Sequence, residues 1–383
     1  MKNIAVFFGG KSCEHDISVI TGVLTVNSLN NELFTGICIY VDRNGTWYTG
    51  EDLKDISFYK NINYKKLNKV TMVFGDGYLY KIKRNKLEKF IQISCAINCM
   101  HGLNGEDGSL AGVMKMSNIS LVGSDIFASS LAMDKDFTKI ALTGLNVSKL
   151  PHVRIYKTHF YSRQELAVKL IESKHSYPVI IKPARLGSSI GVYKCSTRDE
   201  LINNLIKAFK YDNKVIVEQY LSGFKEVNCA CYKIGDELIV SECEEPITSN
   251  DILSFKDKYE SGSTEVGADK KFPADIPIDV SNKIKNITKN VYRKCGFFGI
   301  IRIDYMLYNN KIYLNEINCA PGSMAYYLFC DTFKDFSVLL TKLIMEAINV
   351  NRAENNLEYV FNSNVLTGSG IKGGNGKIRR NSR

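Results

Sequence analysis

Two hydrophobic periods take turns along this chain, and the switches between them mark its elements. Residues 3–8 (Asn-Ile-Ala-Val-Phe-Phe) form a short apolar run that ends at Gly9-Gly10. An apolar run closed by turn residues predicts a buried strand of a parallel sheet. Helical spacing follows from about Asp16 to Leu29, and further strands are predicted at 34–41 and 92–98. This βα alternation predicts an open parallel α/β domain over residues 1–123.

The pattern continues in two more segments. Over 124–222, helical spacing at 134–144, 162–173 and 197–209 alternates with predicted strands at 178–182, 190–195 and 214–218. Over 223–349, strands at 225–233 and 236–243 precede a polar stretch from 246 to 275 and a long amphipathic helix near 278–294. A hairpin at 299–318 and a closing helix near 333–349 complete it. The fold class is therefore α/β, grading to α+β, in three domains with no internal repeat. Residues 350–383 form a tail. Its last twenty residues are rich in Gly, Asn, Ser and basic side chains, cannot bury a core, and are expected to be disordered.

Composition narrows the class. Of 383 residues, 45% are hydrophobic and 23% charged, as in an ordinary folded protein. No apolar run reaches the length of a membrane span, and the apolar start is too short for a signal peptide. The eleven cysteines sit mostly in apolar runs without Cys-x-x-Cys pairs, so they read as buried thiols of a reducing cytoplasm. Five scattered histidines make no zinc pattern. Net charge is +10, but Lys372, Lys377, Arg379, Arg380 and Arg383 place half of it in the tail. The body is mildly basic, which suits an anionic nucleotide and does not require nucleic acid.

Three places carry candidate chemistry. Gly9-Gly10-Lys11-Ser12 resembles the end of a phosphate-binding P-loop, but Ala5 stands where that pattern needs its first glycine, so a P-loop is rejected. The turn's amides can still receive a polar ligand group. Glu14 either favours the helix dipole or grips a ligand ammonium, and local sequence favours the first. The second place is residues 182–192, Lys-Pro-Ala-Arg-Leu-Gly-Ser-Ser-Ile-Gly-Val. Lys182 ends an apolar strand, and Gly187, Ser188, Ser189 and Gly191 form a flexible loop able to close over a triphosphate. An ordinary hairpin loop is the bland reading. Lys135 begins a helix. Glu218 ends a strand and is followed by Gln219-Tyr220-Leu221, an order that can offer backbone groups and a carboxylate to an adenine, while Glu226 can hold a ribose.

The third place is the 299–318 hairpin, with Arg302, Asp304, Glu316 and Asn318. A two-residue turn at Asn309-Asn310 would put Asp304 and Glu316 on opposite faces. A three-residue loop over 308–310 puts all four on one face, and that register is predicted. Such hard oxygen ligands suit Mg²⁺ completed by phosphate oxygens and water. A plain Arg302–carboxylate salt bridge is the alternative.

With these pieces in hand, the chain resembles the ATP-grasp ligases, and within them the D-alanine–D-alanine ligase family, over roughly residues 1–349. The matching motifs are residues 9–15, 101–108 (His-Gly-Leu-Asn-Gly-Glu-Asp-Gly), 133–135, 182–192, Lys258-Tyr259 and 315–322 (Asn-Glu-Ile-Asn-Cys-Ala-Pro-Gly). The resemblance implies an ATP-grasp fold, an acyl-phosphate route to a dipeptide for cell-wall precursor synthesis, a cytoplasmic location and a homodimer. It implies ATP as substrate and two Mg²⁺, a role Mn²⁺ can fill, on Asp304, Glu316 and Asn318. Glu14 would bind the first ammonium, with His101 and Glu106 ordering that site. Lys135 and Lys182 would contact the phosphates, Ser189 and Lys258 would bind the nucleotide, and Glu218, Gln219, Tyr220, Leu221 and Glu226 would hold the adenosine. Ser188 and Tyr259 would complete a hydrogen-bonded trio with Glu14, and a loop around 246–270 would close over the site. Arg302 and Gly322 would face the reacting centre.

One departure stands out. Tyr327 occupies the place where the family offers a small hydroxyl residue to the second substrate, followed by Leu328. A sister ligase joining D-alanine to a different second amino acid, such as D-serine, therefore stays beside the main reading, and a non-catalytic nucleotide-binding scaffold on the same fold is the third reading.

Overall fold

A computed structural model describes residues 1–84, 86–247 and 270–361. Among the described residues the first sheet has eight strands. They are β1 (Lys2–Gly9), β2 (Phe34–Val41), β3 (Trp47–Thr49), β4 (Asn68–Met72), β5 (Tyr78–Lys83), β6 (Lys86–Gln92), β7 (Cys95–Asn98) and β8 (Ser120–Val122). Their order is β6-β5-β4-β3-β2-β1-β7-β8. The expected parallel part exists, because β2, β1, β7 and β8 run parallel. The chain adds an antiparallel meander, β3 to β6, on one edge. Its strands are half-exposed and rich in Lys and Tyr, so they lack the buried apolar run that announced β1. Helices α1 (His15–Asn27) and α2 (Ser109–Met116) lie on this sheet, whereas α3 (Ile126–Met133) and α4 (Lys135–Gly144) pack into a separate core with Ile301, Ile303 and Leu314.

The second sheet has the order β11-β10-β12-β9, from β9 (His152–Tyr156), β10 (Val179–Pro183), β11 (Tyr193–Cys195) and β12 (Lys214–Gln219). Helices α5 (Lys157–Ser162), α6 (Gln164–Glu172) and α7 (Arg198–Ala208) lie with it, and Val168, Ile171, Leu201 and Leu205 share a core with Val179, Ile181 and Val215. The helix expected at 162–173 is thus split at Arg163.

The third sheet has the order β14-β13-β17-β18. It contains β13 (Lys225–Ile234), β14 (Glu237–Val240), β17 (Ile301–Tyr308) and β18 (Lys311–Asn318); the short pair β15 (Glu245–Pro246) and β16 (Lys270–Lys271) stands beside it. Helix α8 (Ile278–Lys294) seals one face with Ile284, Val291 and Tyr292. Helix α9 (Phe333–Asn355) runs six residues beyond its expected end. Its Phe336, Leu340 and Leu343 enter the core of Ile4, Val6, Phe8, Val19 and Val23, so the last region is fastened onto the first sheet. Burying a side chain of this size contributes about 1.5–3 kcal/mol. Residues 362–383, where the disordered tail was expected, lie outside the described residues.

The hairpin corrects the expected register. Tyr308 pairs with Lys311, so the turn is the two residues Asn309 and Asn310, both with positive φ (48° and 59°) as a type I′ turn requires. The facing residues are realigned by a β-bulge. Tyr305 pairs with Leu314 but Asp304 pairs with Glu316, which leaves Asn315 as the extra residue. Arg302 then opposes Asn318, and all four side chains share a face. The outcome was expected; the device is a bulge, not a longer loop.

Candidate active site

Two cavities adjoin where the three sheets meet. One is lined by Glu14, His101, Glu106, Ser188, Arg302, Asn318, Gly322 and Tyr327. The other is lined by Lys135, Lys182, Ser189, Glu218, Gln219, Tyr220 and Leu221. Glu226 and Glu316 line both, so they stand at the junction.

The two glycines at the end of β1 do not offer their amides to a ligand. Gly10 donates to the Val41 carbonyl at 2.7 Å and Gly9 to the Ser18 hydroxyl at 2.8 Å. Both glycines have positive φ, and a Cβ on Gly9 would lie 2.3 Å from the Val41 oxygen, so the residue type answers to backbone packing. Glu14 takes the N-cap position of α1, yet its side chain makes no capping bond. It accepts instead from the Ser188 hydroxyl at 2.5 Å. Glu14 thus stands at the helix N-terminus as expected, but its side chain caps nothing: the carboxylate faces the cavity and meets the loop of 182–192.

That loop also reaches the hairpin. Lys135 lies 3.3 Å from the Glu316 carboxylate and donates to the Leu186 carbonyl at 2.7 Å. Lys182 donates to the Asn315 side-chain oxygen at 3.0 Å and pairs with Glu218 at 2.8 Å. The bulged residue of the hairpin is therefore the one that touches the lysine of the second sheet.

Glu218 shows a second correction. Its carboxylate is fully buried and held by two ammoniums, Lys139 at 2.6 Å and Lys182 at 2.8 Å. Burial opposes its charge, but the two lysines outweigh burial and bring the carboxyl down to about 2. The acid is spent on fixing lysines and does not present a free edge to a base. Lys139 went unnoticed in the sequence. Its signal is spacing: it follows Lys135 by four positions on one helix, which places both ammoniums on one face. Gln219 likewise turns its amide onto the Ser176 and Pro178 carbonyls, both at 2.9 Å.

On the hairpin, the Arg302 guanidinium donates to both Asp304 oxygens, at 2.8 and 3.0 Å, and the Asn318 amide donates to Asp304 at 3.0 Å. Burial disfavours the Arg302 cation, but Asp304 outweighs it and holds it charged. Among the described residues no cage of three or more His, Cys, Asp or Glu side chains exists. Two carboxylates and one amide suit a hard cation that keeps water and phosphate oxygens in its shell, as Mg²⁺ does. The donor set fits that ion. Lys135 and Arg302 supply the positive charge beside the two carboxylates.

Around the first cavity, Glu106 accepts from the backbone amides of Gly102 at 2.8 Å and Ala320 at 3.2 Å. Burial, and then the nearby Glu14, push its carboxyl up to about 8. His101 is buried against Thr21, with 3.0 Å between Nε2 and Oγ1, and burial lowers it to about 4, so the ring is neutral near pH 7. Thr21 in turn accepts from the Ser323 amide at 3.0 Å. This hydroxyl, missed in the sequence because threonine inside a helix carries no motif, ties α1 to the Pro-Gly segment. Tyr327 lines the cavity, where burial raises its phenol to about 12. Leu328 does not: it packs into the core with Met324 and Ala325. Lys258 and Tyr259 lie outside the described residues, as does most of the expected closing loop.

Comparison with known proteins follows the same lines. The family description "D-ala D-ala ligase N-terminus" matches residues 3–124, and "D-ala D-ala ligase C-terminus" matches 141–349. A D-alanine–D-alanine ligase of Caldicellulosiruptor bescii is 33% identical, with 93% of this chain and 98% of the relative covered. The one of Thermosipho melanesiensis is 35% identical, covering 90% and 93%. Among solved structures, the D-alanine–D-alanine ligase of Helicobacter pylori superposes with a TM-score of 0.73 at 29% identity, covering 90% of this chain and 98% of the other. The VanG D-Ala:D-Ser ligase of Enterococcus faecalis gives 0.74 at 29%, covering 91% and 99%.

Proposed function

The chain belongs to the D-alanine–D-alanine ligase family, and from that premise we propose that it joins two D-alanine molecules at the expense of ATP for cell-wall precursor synthesis. The observation that carries this reading is that helix α4 and the second sheet both meet the hairpin of the third: Lys135 on Glu316 and Lys182 on Asn315. A phosphate grip and a cation-binding hairpin encoded more than a hundred positions apart converge on one cavity.

The residues divide the work. ATP lies along the cavity of Lys135, Lys182, Ser189 and Tyr220, with Glu226 at its ribose. Lys135 and Lys182 neutralise phosphate charge, and Glu218 with Lys139 holds Lys182 in place. Asp304, Glu316 and Asn318 hold Mg²⁺, which when bound supplies charge neutralisation at the transferring phosphoryl group. Glu14, braced by Ser188, receives the ammonium of the first D-alanine. The carboxylate of that D-alanine attacks the γ-phosphorus in line, and an acyl phosphate forms as ADP leaves. The second D-alanine, once its ammonium has given up a proton, attacks the acyl carbon through the free amine, and phosphate departs. Arg302 and the backbone at Gly322 stabilise the oxyanion. Water exclusion protects the acyl phosphate, a role that fits the loop carrying Lys258 and Tyr259. The proposed domains, 1–123, 124–222 and 223–349, carry one main sheet each, although Ala128, Ala132 and Leu142 of the second span pack in the core of the third sheet. A homodimer in the cytoplasm belongs to the same proposal and rests on the resemblance alone.

D-serine as acceptor has one observation behind it, the likeness to the VanG ligase. The relatives at 33% and 35% identity bear the D-alanine name, and D-alanine is the acceptor proposed. Purified protein with ATP and Mg²⁺ should release phosphate only when D-alanine is added, and mass spectrometry of a reaction on mixed D-alanine and D-serine should show D-alanyl-D-alanine as the main product. A main product of D-alanyl-D-serine would replace the acceptor; phosphate release without any amino acid would remove the ligase reading.

A further inference from the structure

Across the third sheet runs a row of oxygen-bearing residues, two of which the reading above leaves unused. Asn228 and Glu244 exchange backbone hydrogen bonds, 2.8 Å in one direction and 2.9 Å in the other, so they stand directly opposite each other. Asn228 also opposes Asp304, and Asp304 opposes Glu316. Opposed residues of antiparallel strands share a face. The Asn228 and Glu244 side chains therefore point where the metal ligands point, into the cavity of Arg302, Gly322 and Tyr327.

Both side chains are buried, at 5% exposure each. Each carries an oxygen, Oδ1 of Asn228 and Oε2 of Glu244, that meets no hydrogen-bond partner among the described residues. Buried polar atoms in folded proteins are nearly always satisfied, so two orphans side by side point to a missing donor. A carboxylate and an amide oxygen together call for a cation that donates hydrogen bonds.

Lys270 shows the shape of that cation. Its ammonium lies 3.6 Å from the other Glu244 oxygen and 3.5 Å above the centre of the Tyr327 ring. A carboxylate on one side and an aromatic face on the other form a box for an ammonium group. At 3.6 Å the lysine is beyond hydrogen-bond length, and its side chain is about one-third exposed, so it is loosely held. The other acids of the cavity already have assignments: Glu316 has Lys135, Glu14 has Ser188, Glu106 has two backbone amides, and Glu226, at the junction with the second cavity, is given to the ribose.

We propose that Glu244, Asn228 and the ring of Tyr327 form the seat for the ammonium of the second, acceptor amino acid, and that Lys270 fills this seat until the acceptor displaces it. The assignment rests on the ligase reading, in which two zwitterions enter one site and each brings an ammonium. Glu14 serves the first; Glu244 is the buried anion left for the second. An acceptor with a hydroxyl in place of the ammonium leaves Glu244 uncompensated, so the seat selects amino acids over hydroxy acids.

The test uses the full chain with ATP, Mg²⁺ and D-alanine varied widely enough to separate the two Michaelis constants. Glu244→Gln should raise the acceptor constant about tenfold or more, the effect of losing a charged hydrogen-bond partner. The first-substrate and ATP constants should stay within about twofold, as expected for an effect confined to one subsite. Lys270→Met should lower the acceptor constant by emptying the seat. Equal rises in both D-alanine constants for Glu244→Gln, or no rise in either, would overturn the assignment; a raised acceptor constant for Lys270→Met would overturn the placeholder. If Glu244→Gln fails to fold by thermal melting, the Lys270→Met result decides. Should the unmutated chain show no D-alanine-dependent phosphate release, the ligase reading falls and the seat with it. An active chain with unmoved variants sinks the seat alone.

Discussion

The Ser188 hydroxyl donates to the Glu14 carboxylate at 2.5 Å, across 174 positions of sequence. The bond joins the loop after β10 to the turn after β1, and so couples phosphate cover to substrate grip. Ser188→Ala should therefore lower kcat/KM for D-alanine by about tenfold, the worth of one hydrogen bond to a charged group. ATP affinity, read by nucleotide titration, should move far less. An equal loss in both would mean that Ser188 serves the nucleotide and not the coupling.

Arg302 grips Asp304 with two nitrogens and stands beside the cavity. Arg302→Ala should reduce turnover by about 10²–10³, comparable to removing one donor to a developing oxyanion. Rapid-quench detection of the first ADP formed should show that step slowed much less than dipeptide release. A turnover loss below about tenfold would contradict the oxyanion role.

Chelation by EDTA should abolish phosphate release, and added Mg²⁺ or Mn²⁺ should restore it. Glu316→Gln removes one of two carboxylates at the hairpin and should raise the Mg²⁺ concentration needed for half-activity by at least about tenfold, in line with the effect of damaging a metal site. Unchanged Mg²⁺ dependence would place the ion elsewhere.

The Lys139–Glu218–Lys182 triad predicts a pH dependence of stability. The Glu218 carboxyl has an ordinary value of 4.5 and is brought to about 2 in the fold. The folded state thus binds fewer protons than the unfolded chain between those values, and stability falls as pH drops from about 4.5 towards about 2. Above that window the contribution is fully present. Urea unfolding at a series of pH values should show this loss in the parent, with a smaller one in Glu218→Gln. Lys139→Met should cost about 2 kcal/mol near neutral pH, roughly one hydrogen bond to a charged group, because Lys182 still compensates the acid. A parent slope no steeper than that of Glu218→Gln would refute the triad's role.

Much of the fold was legible because buried strands and amphipathic helices carry strong periods. Phe34–Val41 and Ile278–Lys294 match their expected spans end to end. The meander β3–β6 was not legible, since an edge ladder with mixed Lys and Tyr side chains has neither period. In the site, residues inside dense motifs (Ser188, Glu316, Asn318) came forward from sequence. Glu14 was noticed, but its local context favoured a cap, and only the distant Ser188 shows otherwise. Asn228, Glu244 and Lys270 stayed hidden because their chemistry is created by opposition across strands, which no short window contains; Lys139 carried only its four-residue spacing from Lys135, and its partner Glu218 lies far along the chain.

The bulge at Asn315 separates two numbering frames within one hairpin. From the tip to Tyr305 and Leu314 the strands follow the two-residue turn; from Asp304 and Glu316 onward they are offset by one. A shortened form lacking Asn315 would regain a regular ladder with both carboxylates still opposed, but would forfeit the only amide that reaches Lys182 from this strand among the described residues. A gap in an alignment of shorter relatives therefore belongs at 315 and not at the tip, and a gap misplaced there would exchange the cation-facing and core-facing sides of the whole strand.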